Sequence, residues 1–135
     1  LFIPGPPVGF ARMRVSKVGR HFVPDKQRTY AQKISWLAEQ RMHGLEEMKG
    51  PIQIQMRATY AYPVSWPEKK KLATTYKTTK PDCDNLIKIV ADSLNGIVYR
   101  DDVQIVRVSA SKQYGQPEGL TITVSEIEHE QVSPL

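Results

Sequence analysis

Four aspartates, Asp82, Asp84, Asp101 and Asp102, fall within 21 residues of a 135-residue chain whose formal net charge is +5. They hold nearly a third of its 14 acidic side chains in about a sixth of its length. Carboxylates that a fold brings together repel. The remedies are a raised pKa, a lysine or arginine partner, or a hard divalent cation held by oxygen ligands. The last of these makes a reactive site. Hydrolysing a phosphodiester needs a nucleophilic water at neutral pH and a stabilised leaving oxygen, and two divalent ions about 4 Å apart can serve both ends. Carboxylate oxygens suit Mg²⁺, which keeps several waters and takes few protein ligands. Lys88 follows Asp84 by four residues, about one helical turn. Its ammonium is thereby placed near the carboxylates, or near a phosphate they address.

Each pair of acids also has an ordinary structural reading. Asp82 and Asp84 are two apart, so on an extended backbone they project to one side and Cys83 to the other. Asp84 could equally be a helix cap. Asp101 and Asp102 stand at the head of a later strand, where neighbours point oppositely, so one of the two faces the pocket; as a pair they could also be a turn. Asp92, four residues after Lys88, reads as a surface ion-pair partner. The combination with Lys88, the cap position and the basic loops favours a metal site. Competing motifs fit less well. Pro81-Asp82 lacks the later acid-x-Lys of restriction-type nucleases, and the chain is too short for the nucleotide-sugar domain that accompanies Asp-x-Asp in glycosyltransferases. His21, His43 and His129 have no zinc-ligand spacing, and there is no glycine-rich phosphate loop.

The elements that must position these residues follow from pattern. Leu1 to Ile3 reads as the end of a first strand, followed by a basic segment through Arg12, Arg14, Lys17, Arg20 and His21. Apolar residues at helical spacing from about Pro24 to Met48 predict a helix, interruptible at Gly44 and ended by Gly50-Pro51. Ile52, Ile54, Met56, Ala58, Tyr60 and Tyr62 alternate with polar residues, the pattern of a half-buried strand. Residues 63–81 form a basic loop with Trp66, Tyr76 and lysines 69, 70, 71, 77 and 80, in which aromatics could stack on bases and lysines bind phosphates. The same loop could also be a solvated connection with Trp66 tucked onto the core. A second helix is predicted from about Asn85 to Leu94 with Asp84 as its N-cap, stopped by Asn95-Gly96. Two strands follow, Val103 to Val108 and Leu120 to Val124, and residues 126–135 are expected to fray. The sum is one small domain, residues 1–135, of α/β (α+β) class, with a mixed three- to four-stranded sheet and two helices.

Composition bounds the function. The length allows one core, and no apolar run is long enough for a membrane helix. Leu1 to Pro7 is too short and proline-rich to read as a secretory signal, and the lack of an initiating Met leaves room for residues upstream. The single cysteine, Cys83, rules out an intrachain disulfide framework and fits a reducing cytoplasm. With the four clustered aspartates set aside, 19 bases face ten acids. A basic surface around an acidic pocket suits a polyanion that is gripped along its backbone and attacked at one point.

Asp82-Cys-Asp84-Asn85-Leu86-x-Lys88, then Asp92 and Leu94, then Asp101-Asp102-x-Gln104-Ile105-Val106, resembles the signature of the RusA family of Holliday junction resolvases, and the likeness extends over nearly the whole chain. The resemblance implies a homodimeric, Mg²⁺-dependent endonuclease, with Mn²⁺ as a substitute ion, that nicks two opposed strands of branched DNA in recombination and repair. It implies a bacterial cytoplasmic setting and phage or prophage origin. It assigns Asp82, Asp84 and Asp102 to the metal and to catalysis, makes Lys88 the catalytic lysine, and leaves Asp101 and Asn85 in supporting roles. Arg12, Arg14, Lys17, Lys69, Lys70, Lys71 and Lys80 would then grip DNA arms through phosphates. The loop before Asp82 departs from the family: it is longer, and Thr78, Thr79 and Lys80 stand where arginines are common. The alternatives are a non-catalytic nucleic-acid-binding module, and a flap or RNA nuclease with the same metal site.

Overall fold

The alternation that begins at Ile52 folds as a nine-residue strand inside a four-stranded sheet. The computed structural model describes residues 1–11, 14–22 and 24–128, with the backbone alone for Arg14, Val15 and Phe22. In chain order the elements are β1 (Phe2–Pro4), β2 (Arg14–Val15), β3 (His21–Phe22), α1 (Asp25–Met42), β4 (Ile52–Tyr60), α2 (Glu68–Ala73), α3 (Cys83–Leu94), a 3₁₀ turn (Asp102–Gln104), β5 (Ile105–Tyr114) and β6 (Gly119–Glu126). The main sheet runs β1-β6-β4-β5, and β2 and β3 form a separate small hairpin. β4 is antiparallel to β6 and parallel to β5, so the sheet is mixed. A parallel pair needs a crossover, and α3 lies within it.

One face of the sheet carries the core. Ile52, Ile54, Met56, Ala58 and Tyr60 of β4 are buried with Leu120 and Ile122 of β6. Against them pack Tyr30, Ile34 and Ala38 of α1 and Leu86, Ile89, Val90 and Leu94 of α3. The opposite face is polar: Gln55, Arg57, Ser109, Thr121 and Thr123 are exposed. Among the described residues no helix is long and apolar enough to cross a membrane.

Several boundaries differ from the sequence expectation. α1 stops at Met42, and Gly44 at φ 78° supplies the left-handed residue that ends it. Met48, expected in that helix, instead bridges to Tyr99, its N–H donating to the Val98 carbonyl at 2.7 Å. The 63–81 segment is not wholly loop, because Glu68–Ala73 is helical. β5 starts later and runs further than expected, and β6 reaches Glu126, so the frayed tail does not begin there; residues 129–135 lie outside those described.

Three core tyrosines predict a pH response. Burial raises the phenols of Tyr30, Tyr60 and Tyr99 above the ordinary tyrosine range. The folded state therefore holds these protons more tightly than the unfolded chain does. Their contribution to stability is full below the unfolded phenol value of about 10 and falls as pH rises above it. In an alkaline titration followed by ultraviolet absorbance and circular dichroism, the phenolate signal of three of the six tyrosines appears only together with loss of structure.

Candidate active site

The apolar stripe of α3 decides where its first turn falls. Asp82, not Asp84, is the N-cap, with φ −71° and ψ 152°, and its carbonyl accepts the first helical hydrogen bond from the Leu86 N–H at 3.1 Å. The expected strand-like pairing of Asp82 and Asp84 is therefore corrected: Asp84 sits inside the first helical turn, and the two carboxylates share a helix start rather than one side of an extended segment. The Asp82 side chain makes no capping hydrogen bond. Both carboxylates are exposed at the positive end of the helix dipole.

The amino-terminal segment packs onto this helix start. The Phe10 N–H donates to the Asn85 carbonyl at 2.9 Å. A Cβ at Gly9 would lie 2.7 Å from Pro81 Cβ and 3.3 Å from Asn85 Cβ, so only glycine allows so close an approach. Asn85 is half-buried under that segment. One turn on, Lys88 Nζ stands 4.8 Å from the centre of the Phe10 ring and 3.8 Å from Asp92 Oδ2, the ion pair expected from spacing. Both partners are half exposed, so the pair contributes well under 1 kcal/mol and leaves the ammonium available.

Asp101 and Asp102 occupy a different position. Asp101 caps the 3₁₀ turn: its carboxylate accepts from the Val103 N–H at 3.1 Å, and its own N–H donates to Gln104 Oε1 at 2.9 Å. Gln104 Nε2 donates to the carbonyls of Met48 at 3.0 Å and Gly50 at 3.1 Å, tying the turn to the entrance of β4. Asp101 is thus a cap of this turn. Asp102 is the half-buried member of the pair. A hydrogen bond with Asp101 raises its pKa most, followed by loss of solvent and the charges of Asp101 and Asp92, with Lys88 acting in opposition.

The protomer does not gather the acids into one cage. Asp102 sits beside Lys88 and Asp92 on α3, just before β5 begins, whereas the segment leading to Asp82 is held near the end of β5, where Lys112 Nζ donates to the Pro81 carbonyl at 2.8 Å. Among the described residues no three of His, Cys, Asp and Glu stand close enough to hold one ion. The donor set still fits Mg²⁺, which takes one or two carboxylates and keeps water and substrate oxygens. Asp82 and Asp84 offer exposed oxygens, and Asp82 spends none on capping.

Of the residues expected to grip DNA, Lys17 is exposed in the turn between β2 and β3. Arg12 lies outside the described residues, and Arg14 is described by its backbone alone. Lys69, Lys70 and Lys71 all lie on α2, with Lys70 Nζ 4.1 Å from the centre of the Trp66 ring. Trp66 leans on Tyr62 and Tyr114, whose rings stack at 5.1 Å. Lys80 is exposed. Sequence reasoning missed Phe10 and the role of Gln104. The Asp-x-x-Gln spacing of a capping box was a usable signal for Gln104; for Phe10 there was none.

Comparison with known proteins places these residues in context. A family model described as "Endodeoxyribonuclease RusA" matches residues 4–125. An uncharacterized protein, YqaN, of Bacillus subtilis (strain 168) is 31% identical over 111 residues, covering 77% of each chain. A protein named crossover junction endodeoxyribonuclease rusA, from Lactococcus phage r1t, is 30% identical over 77 residues, 56% of each chain.

Proposed function

This chain belongs to the RusA family of endodeoxyribonucleases, and on that premise we propose that it resolves four-way DNA junctions by paired symmetric nicks in the presence of Mg²⁺. The observation that carries the reading is the uncommitted carboxylate pair, Asp82 and Asp84, at the start of α3, one turn before a lysine. Asp82, Asp84 and Asp102 would hold the ion, which when bound polarises the phosphate and lowers the pKa of water. Lys88, backed by the Phe10 ring, meets charge that develops on the phosphate. Exposed lysines at 17, 69, 70 and 80 supply the sequence-independent grip on DNA arms.

That no three of the described acids stand close enough to hold one ion supports a homodimer. A twofold partner whose α3 lies against this one would bring the partner's Asp102 to Asp82 and Asp84, and the reciprocal contact would complete a second site. Two sites related by a twofold suit the two opposed strands of a junction. A phage or prophage origin, and a role in recombination and repair, are consistent with the phage relative.

The reading is tested by cleavage of a four-way junction, a flap, linear duplex and RNA of matched sequence at one salt concentration with Mg²⁺. The junction is expected to be cut at least tenfold faster than the others, with two nicks per junction. Equal or faster cutting of the flap or RNA would sink the resolvase assignment and leave a nuclease of other specificity.

A further inference from the structure

Two cations that have no ion-pair partner among the described residues meet between α2 and α3. Residues 75–77 lie along the outer edge of β5: the Tyr114 N–H donates to the Thr75 carbonyl at 2.9 Å and the Lys77 N–H to the Lys112 carbonyl at 3.2 Å, with Tyr76 opposite Gln113. That register sets Lys77 directly across from Lys112, an arrangement in which like charges repel.

Both ammoniums converge on Thr79. Lys77 Nζ donates to the Thr79 hydroxyl at 2.7 Å, and Lys112 Nζ donates to the carbonyls of Thr79 and Pro81, each at 2.8 Å. Beneath Lys77 lie the rings of Tyr60 and Tyr114, with centres 5.0 and 5.8 Å away. Among the described residues the ion pairs are Arg28 with Asp25 and Lys88 with Asp92, and neither Lys77 nor Lys112 takes part. Neutral oxygens satisfy their hydrogen bonds but not their charge. Burial first, and the Lys112 ammonium second, hold the Lys77 amine below the usual lysine range, as expected of a cation pair lacking an anion.

We propose that Lys77 and Lys112 form a subsite for a DNA backbone phosphate adjoining the one cut at Asp82. The inference rests on the nuclease reading above. Thr79 and Pro81, which these lysines hold, lead directly into Asp82, so an anion drawn there lies beside the carboxylate pair. A phosphate accepts charge-assisted hydrogen bonds from both ammoniums and relieves their repulsion. Lys112 then has two jobs: it meets the phosphate, and it holds the peptide from which Asp82 projects.

The test measures binding of four-way junction and duplex DNA across a range of salt concentrations, in an Asp82→Asn background that does not cut. Adding Lys77→Met is expected to reduce the slope of log affinity against log salt by about 0.9 and to weaken binding several-fold at about 0.1 M salt, alike for DNA of different sequence. Lys77→Arg is expected to restore most of the slope. The thermal midpoint of Lys77→Met should be no lower than its parent's, since a repulsion has been removed; this separates lost binding from lost folding. Unchanged slope and affinity on both DNAs would overturn the subsite. Loss of junction preference in the parent, with the slope change intact on duplex, would count against the resolvase reading alone.

Discussion

Asp82→Asn and Asp102→Asn each lower Mg²⁺-supported nicking of a four-way junction by about a thousandfold. Binding persists, because the basic surface supplies it and each substitution removes a negative charge. The informative measurement is the mixture. If Asp82 and Asp102 act across a twofold, an equimolar mixture that exchanges subunits makes hybrids in half of its dimers. Each hybrid has one site lacking both acids and one site intact, so about a quarter of wild-type sites return. Nicking in the mixture should rise far above that of either variant alone, on one strand of each junction. No recovery, once subunit exchange has been demonstrated by a size or fluorescence assay, would mean that each protomer holds its own complete ligand set.

Leu86→Ala has the opposite signature. Leu86 is fully buried on α3, midway between Asp84 and Lys88. Truncation removes its transfer energy and leaves a cavity, costing about 3 kcal/mol within a general range of 2–5. For a chain of 135 residues the thermal midpoint should fall by roughly 10 °C. At temperatures where the variant is folded its nicking rate should stay within a few-fold of wild type. Asp102→Asn should leave the midpoint unchanged or raise it, since Asp101 and Asp92 disfavour the charge it removes. Thermal melts and junction assays on the same preparations check both. A Leu86→Ala protein that melts like wild type would contradict the packing of α3 against the sheet.

The two substitutions bear on what could be read from sequence. β4 was legible because its apolar residues alternate without interruption, and the stripe through Leu86, Ile89, Val90 and Leu94 was legible because each lands on the buried side of α3. The start of α3 was misplaced because an aspartate at either 82 or 84 satisfies cap preference. The backbone hydrogen bond from Leu86 to Asp82 decided it, and no side-chain signal records that bond. α2 was missed because its six residues bury no side chain and so leave no periodicity to find. The residue types of the site were legible, since four aspartates and a lysine in a basic chain are conspicuous. Their placement was not: closeness in sequence suggested one pocket, whereas no three of the described acids stand close enough to hold one ion. Lys112 was invisible for the same reason, since it reaches Pro81 across 31 residues of chain.

The placing of the acids on two elements, the start of α3 and the 3₁₀ turn before β5, also bears on safety inside a cell. If the site is completed only across a twofold, a single newly made chain has no complete blade, and DNA that meets it can be bound without being cut. Cutting then waits for a second copy, so the breakage rate follows the square of the amount of protein when the protein is scarce. A nuclease encoded this way is harmless at trace levels and becomes active only when its own abundance signals that junctions are to be resolved.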